Sequence, residues 1–341
     1  MSTTIPETME AVQLEENGGP LSVRHIPVPR PGPGEVLIRM AASPINPSDL
    51  AFVMGSYAFQ RSFPVVPGFE GSGTVVAAGA GMIPRLWMGR RVACAAAQTL
   101  DGTWAEYMAT SAMRCFPLEK KLTLEQGAML VVNPMSVIAF FDIAKREKHG
   151  AIVSNAAASA LGRMIVRQGQ KHGIAIVNIV RRQGQVDLLH SLGANYVLNS
   201  RDADFPRQLR TLAHDLKATL FLDAICGEQT QQLLDAAPFG STVLVYGNLS
   251  GEQGKFEARS LLFEDKRVVG FFLPNWVAKK SFVQTLKDTR RVQQLAKTDL
   301  RTAVQKRLPL SSVQQALEIY QNDMTAGKVL LVANPKEVPI D

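Results

Sequence analysis

The sequence predicts an α/β fold in two parts: a small, β-rich, barrel-like domain and a doubly wound parallel sheet. Three observations predict it. The first third of the chain carries short β-prone runs divided by proline- and glycine-rich turns. From about residue 123, continuous apolar strands alternate with helical stretches, the pattern of a parallel sheet buried on both faces. An apolar strand at 151–155, a turn of small residues, an amphipathic stretch at 163–172 and a second apolar run at 175–180 form one βαβ unit of about 30 residues.

In chain order, strands are expected at 10–15, 21–27, 35–43, 73–78, 91–96 and 104–110. Turn clusters separate them at Asn17-Gly18-Gly19-Pro20, 29–34, 79–81 and Asp101-Gly102. Thr123 opens a helix, because Glu125 and Gln126 fall in its first turn. A longer helix follows at 132–145. Strands are then expected at 151–155, 175–180, 196–198, 219–225, 242–246 and 268–273, with helices at 161–172, 186–192, 204–214 and 229–236 between them. The tail holds a long polar helix, a strand near 304–308, a helix at 313–321 and a last strand at 328–332, and it returns to complete the first domain. The expected division is therefore 1–127 with 275–341, against 128–274.

Composition narrows the function classes. A chain of 341 residues with 46% hydrophobic and 20% charged residues has enough apolar material for two cores. The longest mostly apolar run, 129–141, is broken by Asn133, Pro134 and Ser136, so no membrane span is expected. Residues 1–10 lack the basic and apolar regions of a signal peptide, which makes a cytoplasmic location the expectation. The net charge of +7 is spread along the chain, with local clusters at Lys279-Lys280 and Arg290-Arg291. No basic stripe is interleaved with aromatics, so nucleic acid is not expected as a partner. Three cysteines (Cys94, Cys115, Cys226) have neither metal-ligand nor disulfide-framework spacing and are expected to be buried free thiols.

The turn within the βαβ unit reads Ala156-Ala157-Ala158-Ser159-Ala160-Leu161-Gly162. Of the pattern G-x-G-x-x-G only the third glycine, Gly162, remains. Alanine and serine in the other places still let the backbone approach a pyrophosphate at the helix N-terminus. An acidic residue that would bond a ribose 2′-OH is absent about 20 positions on, and Arg181-Arg182 stand there instead. Arginine forks onto phosphate, so NADPH is favoured over NADH. The alternatives are an ordinary strand–turn–helix and a solvated charged pair.

Beyond these features, the residues Ile45-Asn46-Pro47-Ser48-Asp49, Gly55-Ser56-Tyr57, Pro67-Gly68-Phe69-Glu70-Gly71, Gly102-Thr103-Trp104-Ala105-Glu106-Tyr107, Val132-Asn133-Pro134 and Gly270-Phe271-Phe272-Leu273 occur in an order and spacing that resembles the medium-chain dehydrogenase/reductase superfamily. The resemblance runs along nearly the whole chain. Within the superfamily the chain is most similar to the zinc-free quinone oxidoreductases and the 2-enoyl thioester reductases. It implies a GroES-like β-barrel domain joined to a Rossmann-type dinucleotide domain, a small-molecule substrate and a homodimer.

The resemblance also implies roles for single residues. Zinc-dependent members draw metal ligands from places held here by Asn46, Phe69 and Asn133. Asparagine and phenylalanine are not catalytic zinc ligands. None of the five histidines forms a ligand pair at i, i+3 or i, i+4, so no metal is expected. Tyr57 matches the tyrosine that donates a proton in enoyl thioester reductases. Asn46 is implied as a hydrogen-bonding partner for the nicotinamide ribose or the substrate. The turn Ala158, Ser159, Ala160, Leu161 and Gly162 is implied for the pyrophosphate, and Arg181 with Arg182 for the 2′-phosphate. Asn133, Tyr246-Gly247 and Phe271 to Leu273 are placed near the nicotinamide, Lys328 near the cofactor, and Trp276 near the substrate pocket. The sequence departs from the usual pattern at Ala58, where a glycine is common after the tyrosine.

These observations favour an NADPH-dependent, zinc-independent reductase of activated C=C bonds, in 2-enoyl thioesters or enones. Two alternatives stay open: an NADPH:quinone oxidoreductase on the same scaffold, and an NADPH-binding sensor or structural protein with little turnover.

Overall fold

The computed structural model describes residues 4–59 and 61–341, and the chain divides into two compact units. Unit 1 is Met1–Asn133, Phe282–Lys297 and Thr302–Asp341. Unit 2 is Pro134–Ser281 and Thr298–Arg301.

In chain order the elements of the first segment are β1 (Thr8–Leu14), β2 (Leu21–Pro27), β3 (Glu35–Pro44), α1 (Pro47–Val53), β4 (Glu70–Ala78), α2 (Met82–Trp87), β5 (Arg91–Ala95), β6 (Tyr107–Ser111), β7 (Cys115–Pro117) and α3 (Leu124–Ala128). α4 (Val132–Arg146) leads into unit 2, which holds β8 (Ala151–Ser154), α5 (Ala160–His172), β9 (Ala175–Val180), α6 (Gln183–Ser191), β10 (Tyr196–Asn199), α7 (Phe205–Asp215), β11 (Ala218–Asp223), α8 (Glu228–Ala236), β12 (Thr242–Val245), α9 (Ala258–Phe263), β13 (Arg267–Gly270) and α10 (Leu273–Ala278). The return segment is α11 (Phe282–Leu295), β14 (Val304–Pro309), α12 (Val313–Asn322) and β15 (Lys328–Val332).

Unit 1 is built on a seven-stranded sheet in the order β14-β15-β3-β4-β5-β7, with β6 also pairing β3. One long strand, β3, therefore serves three partners, and its ladder with β4 shifts register twice. Such shifts bend a strand and curl its sheet. The β1–β2 hairpin joins through bridges from Ala11 to Ala105 and from Leu14 to Val65. The return segment completes the core. Leu308, Leu310, Val313, Ala316, Leu317, Val329 and Leu331 pack in one cluster with Met9, Val12, Phe52 and Trp104.

Unit 2 is a six-stranded parallel sheet in the order β10-β9-β8-β11-β12-β13. Numbered within the unit this is 3-2-1-4-5-6, the Rossmann order, with its switch point between β8 and β11. Both strands at that point are largely apolar and nearly all buried, as strands covered on two faces must be.

The units change at 133/134 and 281/282 rather than at 127/128 and 274/275. The second shift follows from α10, of which only Leu273 falls in the strand expected at 268–273. Pro274 in its first turn ends β13 at Gly270 and starts a helix. Lys280, just after it, pairs with Asp142 of α4 at 3.4 Å, inside unit 2. Three other helices also went unread: α1, α2 and α9, each of six or seven residues, too short to show a clear period. Cys94 and Cys115 are buried free thiols and face each other across β5 and β7, and burial pushes both pKa values up. Cys226 departs from the expectation: it is only half-buried and has a left-handed φ of 66°. Among the described residues, no helix is long and apolar enough to cross a membrane.

Candidate active site

In unit 2 the turn at 156–162 is a backbone cradle. Ala156 takes a left-handed φ of 47°, which swings the chain out of β8, and the Ala157 N–H donates to Ile179 O of β9 at 3.2 Å. Ser159 caps α5, its Oγ accepting from the Gly162 N–H at 3.1 Å. A Cβ on residue 162 would lie 2.3 Å from Ala157 O, so only glycine permits this approach of helix to strand. The alanines at 157 and 158 are buried and leave no side chain in the way. This fits a pyrophosphate at the N-terminus of a 13-residue helix.

Arg181 and Arg182 follow β9 and are exposed, with Arg182 at the N-cap of α6. The Ser200 N–H donates to Val180 O at 2.7 Å, which brings the exposed Arg201 to the same corner. The sequence reading missed Arg201, since only the register of β10 against β9 places it there. It also missed the clamp across the switch point. Asn155 Nδ2 donates to Asp223 Oδ1 at 2.6 Å and Asn155 Oδ1 accepts from the Ala224 N–H at 2.7 Å, tying the ends of β8 and β11 together. Asp223 also accepts from Thr230 Oγ1 and from the N–H groups of Ile225 and Cys226.

Tyr246 follows β12, with its ring 4.9 Å from Phe140, and Phe271 meets the same Phe140 ring at 4.9 Å. Burial, and then the Asp223 carboxylate, raise the pKa of the Tyr246 phenol. Gly247 lies where a Cβ would come 2.9 Å from Ala224 O. Leu273 opens α10, and Trp276 on that helix carries the Lys280 ammonium 3.4 Å above its ring.

In unit 1 the central feature is a fully buried polar network. Asn46, Asp49, Glu70 and Lys328 are each no more than 2% exposed. Lys328 Nζ donates to Asn46 Oδ1, to Ile45 O at 3.0 Å and to the Tyr320 hydroxyl at 3.3 Å. Asn46 Nδ2 donates to Glu70 Oε1 at 3.0 Å, and Glu70 Oε2 accepts from the N–H groups of Val131 and Val132 at the start of α4. Asp49 accepts from the N–H of Asn46 at 2.8 Å and of Phe69 at 3.0 Å. Two buried carboxyls thus act on one buried ammonium through their charge, while the ammonium's own hydrogen bonds go to Asn46, Ile45 and Tyr320. Burial raises the pKa of Asp49 to about 7, raises that of Glu70, and lowers that of Lys328 to about 8. Lys328 therefore has three partners inside its own unit, and both polar ends of the Asn46 amide are engaged. Asn133 lies in the first turn of α4, two residues beyond the Val131 N–H that reaches Glu70.

Tyr57 follows α1 on a loop and is half-buried. Its ring lies 4.8 Å from Phe69 and 5.2 Å from Phe59. Burial, then the negative charge of Asp49, raise its pKa to about 12, while Arg61 acts in the opposite direction. The network and the tyrosine are linked: Asp49 holds the Phe69 backbone, and the Phe69 ring supports Tyr57.

Comparison with known proteins places this geometry. Residues 32–120 match the alcohol dehydrogenase GroES-like domain, and residues 160–288 match the zinc-binding dehydrogenase domain. A Mesorhizobium loti structure assigned as an NADPH:quinone reductase is 32% identical, covers 97% of this chain and 100% of its own, and superposes with a TM-score of 0.90. The chain belongs to the medium-chain dehydrogenase/reductase superfamily. A Bacillus thuringiensis structure assigned as an NADPH:quinone reductase is 26% identical over 95% of this chain and 99% of its own, with a TM-score of 0.85. The mitochondrial enoyl-[acyl-carrier-protein] reductase of Caenorhabditis elegans is 27% identical over 91% of this chain and 95% of its own length. Within the superfamily the chain falls in the branch of quinone oxidoreductases and enoyl reductases, and it is an oxidoreductase of the nicotinamide-dependent kind.

The zinc in the second domain's family description finds no fitting site among the three positions. Asn46 is already bonded to a lysine ammonium, Phe69 presents a ring, and Asn133 offers an amide. A buried cation beside Asn46 would repel a second one.

Proposed function

We propose that this protein is a zinc-independent, NADPH-dependent reductase of C=C bonds conjugated to a carbonyl, with 2-enoyl thioesters as the leading substrate class and enones beside them. The observation that carries the reading is Tyr57. It is a half-buried phenol seated on Phe69, where zinc-dependent relatives place a metal ligand. Its pKa of about 12 keeps it protonated at neutral pH.

When held by the turn at 158–162, NADPH would supply a hydride for the β-carbon of the conjugated system. The electron pair of the C=C bond then moves toward the carbonyl oxygen, giving an enolate. The Tyr57 hydroxyl gives its proton to the α-carbon of that enolate, and water returns a proton to the tyrosinate. Asn46, Asp49, Glu70 and Lys328 act at one remove. They fix α1 and Phe69, and so the tyrosine, instead of touching the substrate. The turn from Ala158 to Gly162 holds the pyrophosphate, and Arg181 and Arg182, joined by Arg201, hold the 2′-phosphate. Asn133, Tyr246, Gly247, Phe271 and Leu273 border the nicotinamide, and Trp276 lines the substrate side.

Quinone reduction is the second reading, favoured by the names of the two structural relatives. It needs the same cofactor but no carbon protonation. The protein is further proposed to work as a cytoplasmic homodimer, paired through the outer edge of β13. Phe263 and Leu262, which precede that strand, are more than 70% exposed.

The test is NADPH consumption with chelator present across 2-enoyl-CoAs, enones and quinones. Turnover of enoyl-CoAs above quinones is expected. Turnover of quinones alone selects the second reading, and turnover of none with NADPH bound selects a sensor.

A further inference from the structure

We infer that Arg61 is a positioning residue for proton delivery: its buried guanidinium holds the tyrosine loop in place and stabilises the Tyr57 phenolate left when the proton departs. This rests on the reading of Tyr57 as the donor.

The geometry is specific. Arg61 is only 6% exposed. Its guanidinium donates to the carbonyls of Val66 at 3.2 Å, Ala97 at 2.9 Å and Gln98 at 3.3 Å, so it staples the loop after Tyr57 to the segment after β5. The guanidinium carbon lies 5.0 Å from the Phe52 ring centroid, 5.5 Å from Phe69 and 5.8 Å from Phe59. Phe69 and Phe59 are the rings on which Tyr57 packs. Cation and phenol thus share one apolar cluster.

Arg61 donates to neutral carbonyls and makes no ion pair among the described residues. Its charge is therefore less neutralised than a paired one, in surroundings where charge is poorly screened. The charged groups that act on it are Asp101, Asp49 and Arg114, together with Tyr57 itself. Asp49 and Arg61 pull the tyrosine in opposite directions: the carboxylate disfavours the phenolate and the guanidinium favours it. The enolate takes a proton from the Tyr57 oxygen, the O–H electron pair stays on that oxygen, and the charge of Arg61, packed on the same Phe59 and Phe69 rings, then favours the new anion.

The experiment is a double-mutant cycle on kcat for 2-enoyl-CoA reduction, with Arg61→Gln and Arg61→Lys made in the parent and in Tyr57→Phe. NADPH affinity and KM are read alongside. In the parent, Arg61→Gln should lower kcat by about tenfold or more with KM and NADPH affinity little changed. Arg61→Lys, which keeps the charge but not the three-carbonyl fork, should recover part of that loss. In Tyr57→Phe, where no phenolate forms, Arg61→Gln should change kcat by less than about twofold. Equal losses in both backgrounds, or Gln outperforming Lys, would mean that Arg61 is a staple alone and overturn the inference. If Tyr57→Phe itself leaves kcat unchanged, the donor assignment falls, and this inference with it.

Discussion

In unit 2 the dinucleotide turn consists of backbone and small side chains, whereas in unit 1 the candidate reaction site rests on charged side chains drawn from distant parts of the chain. The turn runs through seven consecutive residues, and its contacts are mostly main-chain, such as Ala157 N–H to Ile179 O. The network in unit 1 joins Asn46 to Lys328 across 282 residues and to Glu70 across 24. A backbone cradle tolerates alanine and serine for glycine, provided the one tight approach, at Gly162, is kept. A buried charge network tolerates little, because removing one member leaves another unpaired.

That contrast can be broken by substitution. The largest effect is expected from Lys328→Met, which leaves Asn46 Oδ1, Ile45 O and the Tyr320 hydroxyl without their buried donor and takes a positive charge from beside Asp49 and Glu70. Leaving a buried polar group without its hydrogen-bond partner costs about 1–3 kcal/mol, and three acceptors lose one here. Denaturant unfolding should show a loss of that order, and a loss below about 1 kcal/mol would mean that the network contributes little. Next comes the corner proposed for the 2′-phosphate. Arg181→Ala or Arg182→Ala should each weaken NADPH by about 1.5–3 kcal/mol, the range for a hydrogen bond to a charged group, and spare NADH. Equal affinity of the unaltered protein for NADPH and NADH would remove the corner from the account. Gly162→Ala forces α5 away from Ala157, at a cost of about 1–3 kcal/mol. Calorimetry should find the lost stability accompanied by weaker NADPH binding, and unchanged binding would show that the cradle can shift at no cost.

A fourth effect concerns pH. Burial raises the pKa of Asp49 from 3.8 to about 7, so between these values the folded chain keeps a proton that the unfolded chain has released. The stability contributed by this group therefore falls as pH rises through that interval. Asp49→Asn removes the titration, and its Tm should vary less than the parent's over the same range. Parallel profiles would place the carboxyl outside this account.

The same contrast explains what could be read from the sequence. The βαβ unit was legible because strand, turn and helix are contiguous and each has its own period. β2, β9 and β15 have the bounds that alternation or apolar runs predicted. The capping box of α3 was legible from Thr123 and Gln126. α1 carries an equivalent signal, with Asn46 at the cap and Asp49 at its third position, yet Asn46 beside Pro47 reads equally well as a turn. Lys328 and Asn46 were named singly, but their bond depends on β15 pairing with β3, a long-range fact that local pattern does not carry. Arg61 gave no signal at all, since an arginine in a loop is usually solvated, and only the packing around Phe52, Phe59 and Phe69 gives it a role.

The central claim is that a tyrosine hydroxyl on an aromatic platform completes the reduction. The most direct measurement compares kcat of the parent and of Tyr57→Phe with a 2-enoyl-CoA and with a quinone, in the same buffer with chelator and saturating NADPH. Phenylalanine keeps the ring and removes only the hydroxyl. A positioned acid contributes about 10²–10⁴-fold, so kcat for the enoyl substrate should fall by that much while quinone turnover and NADPH affinity hold. An enoyl rate equal to the parent's would show that the proton comes from elsewhere and contradict the assignment of Tyr57.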